Sequence, residues 1–133
     1  MSLIVDASVA VKWVVPEPDS VKARTLQDEE GDLLAPTLAI PEIANALWKY
    51  ARRGEITREQ ACDALHIASR LIGRLIPVED LAQQAVELAI RLEHPVYDCF
   101  YLALAAREGI PVVTADGDLY ATARRARIDA RLL

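Results

Sequence analysis

Asp6, Glu42, Asp98 and Asp116 are the residues whose positions suggest chemistry. Asp6 closes the apolar run Leu3-Ile4-Val5, whose β-branched members read as a buried strand, and it precedes a helical segment. Glu42 lies in the early turns of a long helical stretch, and Asp116 follows the strand-like Val112-Val113-Thr114 after one residue. Asp98 is the only charge between His94 and Arg107. Each acid also has a plain structural reading. An Asp after a strand caps the next helix, an acid in a first helical turn gains from the helix dipole, and Asp116-Gly117 is a turn pair. Asp98 resists that reading, because so apolar a helix buries its first turn and a buried carboxylate without a cation is costly. In a parallel sheet, strand ends and the opening turns of helices share one edge, so the four acids converge. Gathered carboxylates repel one another unless they protonate or hold a divalent cation. Oxygen donors without thiol or imidazole select Mg²⁺ or Mn²⁺. Such ions polarise phosphoryl oxygens and generate hydroxide from bound water, so phosphate-ester hydrolysis is the chemistry expected.

The elements that must hold these acids alternate between strand and helix. A helical pattern runs from the first strand to Val15, and Pro16-Glu17-Pro18-Asp19 breaks it. Asp19 or Ser20 caps a helix over about 20–30, ended near Gly31, and Leu33-Leu34-Ala35 is a short strand closed by Pro36. Thr37 introduces a helix to about Arg53, with Pro41 tolerated in its first turns. On that helix Ile40, Ile43, Ala44, Leu47 and Ala51 face the core. Glu42, Asn45, Lys49 and Arg52 fall within an arc of roughly 80°, either a functional stripe or a solvated face. Thr57-Arg58-Glu59-Gln60 is a capping box opening a helix with Ala61, Ala64, Leu65, Ala68 and Leu71 on one side. Leu75-Ile76-Pro77-Val78 reads as a strand, with Pro77 at its end or at the sheet edge. Glu79 and Asp80 begin a helix with the stripe Leu81, Ala85, Leu88, Ala89 and Leu92, stopped by His94-Pro95. Residues 97–108 form a helix apolar nearly all round, hence central. After the Val112-Val113-Thr114 strand come a last helix to about Arg127 and a strand near Ala130-Arg131-Leu132. This alternation predicts an α/β fold: a three-layer α/β/α sandwich around a central, mostly parallel sheet of four to five short strands. No repeat or linker divides the chain, so residues 1–133 are expected to form a single domain.

Hydrophobic residues make up 53% of the 133, which excludes disorder. No apolar run approaches the roughly 20 residues of a membrane span, and no basic region precedes an apolar one at the start, so no signal peptide is expected. Net charge is −5, mildly against a simple nucleic-acid binder. Two divalent cations would bring −5 to −1, so the sum decides little. Cys62 and Cys99 lie outside any CxxC pattern and read as small buried hydrophobes of a reducing cytosol, which gives a cytoplasmic expectation. With only His66 and His94 besides, a zinc site is not expected.

Four stretches, in this order and over the whole chain, carry a resemblance. They are Val5-Asp6-Ala7-Ser8 with Val11-Lys12-Trp13, then Pro41-Glu42-Ile43-Ala44-Asn45-Ala46-Leu47-Trp48, then Tyr97-Asp98-Cys99-Phe100-Tyr101-Leu102-Ala103-Leu104-Ala105, and Thr114-Ala115-Asp116-Gly117-Asp118. With them the sequence resembles PIN-domain proteins, in the VapC toxin branch of the VapBC toxin–antitoxin systems. The resemblance implies a PIN-like fold and a Mg²⁺- or Mn²⁺-dependent endoribonuclease, inhibited by a cognate VapB-like antitoxin and homodimeric. It makes Asp6, Glu42, Asp98 and Asp116 the acidic quartet. Ser8, Asn45 and Thr114 match supporting polar positions, and Asp118 an acid present in only some relatives. Cys99 stands where many relatives have a small residue such as Ala.

On this reading Asp6 and Asp98 ligate the metal directly, and Glu42 and Asp116 complete the shell or act through water. Lys12, Lys49, Arg52 and Arg53 either contact RNA phosphates or are solvated helix residues. Trp13, Trp48 and Tyr101 are expected in the core or an interface. The competing readings are a processing nuclease outside any toxin–antitoxin pair, a non-catalytic binding module of the same fold, and a phosphoacceptor domain. The last lacks the DxDx[TV] motif and the acidic pair it would need after the first strand.

Overall fold

In the computed structural model, which describes residues 2–29 and 31–133, five strands form one sheet. They are β1 (Ser2–Val5), β2 (Asp32–Pro36), β3 (Arg74–Ile76), β4 (Val112–Thr114) and β5 (Ala130–Leu132). All pairings are parallel, and the order is β3-β2-β1-β4-β5. Central β1 pairs Ile4 with Leu34 on one side and with Val112 on the other. The helices are α1 (Ala7–Val14), α2 (Ser20–Glu29), α3 (Ala39–Arg52), α4 (Arg58–Leu71), α5 (Ala82–Leu92), α6 (Val96–Glu108) and α7 (Gly117–Arg125).

Parallel neighbours need right-handed crossovers. The chain steps from β1 outward to β2 and β3, then returns past β1 to β4 and β5. This places α1–α4 on one face and α5–α7 on the other. The packing agrees: α1 meets α2, α3 and α4, α5 meets α6, and α7 meets β4 and β5. The winding direction reverses between β1 and β4, the switch point beside which open α/β sheets bind their ligands.

Leu3, Ile4 and Val5 are fully buried in one core with Val9, Ile43, Leu102 and Leu104, and α6 packs against β1. Burying such a side chain contributes roughly 1.5–3 kcal/mol, and truncating Leu102 to Ala would cost about 2–5 kcal/mol. Helix α6 is buried at Cys99 and from Tyr101 to Ala105, as its apolar sequence requires, but its first turn is not buried as expected: Tyr97 is exposed and the Asp98 side chain is half-buried. Gly109 (φ 66°) ends it in the left-handed region, where a residue without Cβ is favoured, and turns the chain into β4. The capping box of α4 is formed as read: the Gln60 N–H donates to Thr57 Oγ1 (3.0 Å) and the Thr57 N–H to Gln60 Oε1 (2.8 Å).

Several expectations need correction. Val78 is not in β3, and Glu79 and Asp80 do not begin α5; all three form a 3₁₀ turn, and α5 starts at Ala82. The reason is long-range: Thr37 does not cap α3 but accepts the Val78 N–H at Oγ1 (3.1 Å), which pins that turn. Cys62 is exposed rather than buried, and of the two places expected for Trp48, core or interface, its 52% exposure excludes the core. Both lie along an apolar groove between α3 and α4 with Leu47 and Leu65. Among the described residues no helix is long and apolar enough to cross a membrane.

Candidate functional site

Asp6 occupies the N-cap position of α1 with extended backbone (φ −72°, ψ 149°), yet its side chain makes no capping bond. The plain reading of this acid therefore fails. Its Oδ2 instead accepts from Ser8 Oγ (2.6 Å) and Thr114 Oγ1 (2.8 Å), and the residue is only 7% exposed. Those hydroxyls are themselves fixed by the chain leaving β4. The Ala115 N–H donates to Ser8 Oγ (3.0 Å) and the Asp116 N–H to Thr114 Oγ1 (2.9 Å). The ends of β1 and β4 are thus stitched around one carboxylate, at the switch point.

The other three acids approach from neighbouring elements. Glu42, in the first turn of α3, accepts at Oε1 from the Tyr101 hydroxyl (2.7 Å). Asp98, in the first turn of α6, meets His94 Nε2 through Oδ2 at 2.7 Å. Asp116 does cap α7, accepting the Asp118 N–H at Oδ1 (2.8 Å).

Their charges are felt in common. Burial pushes the Asp6 carboxyl above its ordinary 3.8, the Ser8 and Thr114 hydrogen bonds oppose this, and Asp98 and Asp116 raise it further. Burial is also the first cause that lifts Glu42 to about 6; Tyr101 works against it, and Asp6 and Asp98 add to it. The Tyr101 hydroxyl is held well above 10, by burial first and then by Asp6 and Glu42, so it stays a hydrogen-bond donor. Burial, and Asp98 after it, raise the Cys99 thiol.

The hydrogen bonds share a pattern. Each acid has one oxygen held by donors of the protein: Asp6 Oδ2, Glu42 Oε1, Asp98 Oδ2 and Asp116 Oδ1. The second oxygen of each accepts no hydrogen bond from the described residues. Nor is any of these second oxygens an orphan sealed from solvent, since among the described residues no buried side-chain polar atom is without a partner. Oxygen-only donors, mutually repelling and each with one atom left over, fit a hard divalent cation. As they stand, no three Asp, Glu, His or Cys among the described residues are close enough to enclose an ion. The donor chemistry is present, but the carboxylates do not close around a single point.

The remaining predicted residues divide. Ser8 and Thr114 belong to the site. Asp118 is exposed and takes part through its backbone, whereas Asn45 is exposed one turn beyond Glu42. Lys12 turns inward, with Nζ 2.7 Å from the Pro18 carbonyl and 3.6 Å from Glu17, and its side chain is only 13% exposed. Lys49, Arg52 and Arg53 are exposed at the far end of α3, Arg52 stacked on Trp48 and Arg53 on Tyr50, both at 4.8 Å. Sequence reasoning missed this place for His94, read as part of a helix stop and set aside as a zinc ligand, and for Thr122, 3.2 Å from its Nδ1. It placed Tyr101 in the core or an interface and gave its hydroxyl no part in the site. The available signal was spacing: His94 and Tyr101 stand four before and three after Asp98.

Known proteins share this fold. The PIN domain profile matches residues 3–125, so the chain belongs to the PIN domain family. Within that family it is 34% identical over 122 residues to Ribonuclease VapC3 of Pyrobaculum aerophilum, covering 90% of this chain and 92% of that one. Two solved structures show the same fold at lower identity. VapC20 of Mycobacterium tuberculosis, described as a Sarcin-Ricin loop cleaving toxin, superposes with a TM-score of 0.72 at 21% identity over 90% of this chain and 93% of that one. VapBC2 of Rickettsia felis, solved on a DNA fragment from its own promoter, gives 0.73 at 16% identity over 100% and 99%.

Proposed function

We propose that the protein is a Mg²⁺- or Mn²⁺-dependent endoribonuclease, the toxin of a toxin–antitoxin pair. The observation that carries this reading is the set of four carboxylates at the β1–β4 switch point, each with one oxygen held and one left over. Asp6 and Asp98 are the residues that would hold the ion, with Glu42 and Asp116 completing its surroundings directly or through water. The chemistry such an ion supplies is charge stabilisation at a phosphoryl oxygen and activation of water.

The chain's own groups have separate tasks. Ser8 and Thr114 fix the Asp6 carboxylate against rotation, and Tyr101 does the same for Glu42. Without metal, burial and the neighbouring acids lift the Glu42 carboxyl to about 6, and a divalent cation would relieve that repulsion and favour its ionised form. Lys49 and Arg52, exposed toward the far end of the helix that presents Glu42, would meet RNA phosphates away from the cleaved bond. Lys12, tied to Pro18 and Glu17, is not assigned that task.

The named ribonuclease relative supports RNA as substrate. The VapBC2 likeness supports a VapB-like antitoxin as partner. A homodimer is carried over from the family resemblance, and two free cysteines fit a reducing, cytoplasmic setting. The test is cleavage of a structured RNA by the purified protein. EDTA should abolish cleavage, Mg²⁺ or Mn²⁺ should restore it, and Asp98→Asn should stay inactive while folded. Cleavage by Asp98→Asn at the wild-type rate, or cleavage indifferent to EDTA, would overturn the proposal.

A further inference from the structure

His94 belongs to none of the elements that carry the acids. It sits at the elbow between α5 and α6, just after Glu93, whose φ of 51° turns the chain, and just before Pro95. Its side chain is 14% exposed and spans two helices. Nε2 lies 2.7 Å from Asp98 Oδ2 on α6, and Nδ1 lies 3.2 Å from Thr122 Oγ1 on α7. The Thr122 hydroxyl is 2.8 Å from the Asp118 carbonyl as well, so its rotatable hydrogen serves either neighbour. A carboxylate only accepts. The Nε2 facing it therefore carries a proton, and Nδ1 is left to Thr122.

The terminal torsion of an aspartate is broad, and nothing intrinsic to Asp98 chooses which oxygen faces the other acids. The bond from His94 makes that choice. It holds Oδ2 toward the elbow and leaves Oδ1 for the site, as Ser8 and Thr114 do for Asp6 and Tyr101 for Glu42. Unlike those residues, His94 joins the α5–α6 elbow to α7, the helix that Asp116 caps. It thus ties the placement of Asp98 to the element carrying the fourth acid.

We propose that His94 is a positioning residue that orients Asp98 for the divalent cation, with Thr122 fixing the ring. This inference rests on the metal-dependent reading above. Its test is Mn²⁺ binding followed by titration calorimetry, alongside thermal melting in EDTA, for the full chain and its variants at position 94. His94→Ala is expected to weaken Mn²⁺ binding by about 10–100-fold, without a matching change in the melting temperature of the metal-free protein. The amide nitrogen of glutamine overlies Nε2, whereas that of asparagine overlies Nδ1. His94→Gln should therefore bind Mn²⁺ much as the wild type does, and His94→Asn should resemble the alanine variant.

Equal affinities for the glutamine and asparagine variants would overturn the proposal even if His94→Ala failed to fold. So would wild-type affinity in His94→Ala. A wild-type protein that binds no Mn²⁺ would overturn the metal reading and this inference with it. Wild-type binding together with indifference to position 94 would overturn this inference alone.

Discussion

The two edges of the sheet make opposite use of charge. At the carboxyl edge Asp6 is 7% exposed, ringed by hydroxyls and crowded by other acids. At the amino edge a cavity of about 630 Å³ opens beside Pro111, lined by Arg124, Arg127, Asp129 and Arg131. Arg124, Arg127 and Asp129 there are exposed, so water solvates them and their presence costs the fold little. Taking a carboxylate out of water costs several kcal/mol, of which hydroxyl donors return part. Room therefore does not distinguish the edge to which the proposed chemistry is assigned. What distinguishes it is an unfavourable burial that the fold tolerates at one place, with donors built around it, and such places are where chemistry is expected.

The largest effect that separates the edges should come from Asp6→Asn. The amide oxygen can still accept from Ser8 and Thr114, so the local structure survives while the charge is lost. If the ion supplies several kcal/mol of transition-state stabilisation, cleavage should fall by about 10³-fold or more. The metal-free protein should melt no lower than the wild type, because a repelled, buried charge has gone. Single-turnover cleavage and melting in EDTA measure the two together. A variant that melts much lower yet still cuts would mean that Asp6 is structural, and would erase the contrast between the edges.

A smaller effect is the pH dependence of stability. The folded-state pKa values of Asp6 and Glu42 lie above their unfolded ones, so the folded protein binds protons that the unfolded chain has already released. Stability of the metal-free protein should accordingly decline as pH rises from the ordinary carboxyl range through about 6, the value for Glu42. Mn²⁺ should raise the melting temperature above that window and have little effect at its lower end, where protons compete for the same oxygens. A metal-free melting temperature that climbs across the window would show that these carboxylates are stabilised by folding rather than strained by it.

How much of this was legible in the sequence follows from the range of the interactions concerned. Strand–helix alternation, the Thr57–Gln60 capping box and the burial of α6 are written in local periodicity, and they could be read. The four acids were legible for the same reason, since each stands at the end of a strand or the start of a helix. The 3₁₀ turn at Val78–Asp80 depends on a hydroxyl at Thr37, 41 residues earlier, which no window on the turn contains. The ring of Tyr101 is core, as its neighbours implied, but its hydroxyl works for Glu42, 59 residues away. His94 was hidden beside Pro95: the pair reads as a helix stop, and nothing in the local sequence brings Thr122, 28 residues on, to the imidazole. Lys12 looked available because the loop that captures it, Glu17-Pro18, gave no sign of folding back over α1.

The smallest expected effect tests the amino edge on its own terms. Arg127 is exposed and has φ 58°, a left-handed backbone that costs a residue with a Cβ roughly 1–2 kcal/mol. Glycine relieves that strain, but its unfolded chain gains entropy that returns about 0.5–1 kcal/mol. Arg127→Gly should therefore stabilise by about 0.5–1 kcal/mol, a rise of a few degrees in melting temperature. RNA cleavage should stay unchanged, because the substitution lies at the end of the sheet away from Asp6. The same variant also removes one of the cavity's arginines. If cleavage or RNA binding fell while the melting temperature rose, the amino edge would have to be counted as part of the RNA-binding surface. The two edges would then differ in the step they serve, one gripping phosphates and the other cutting between them.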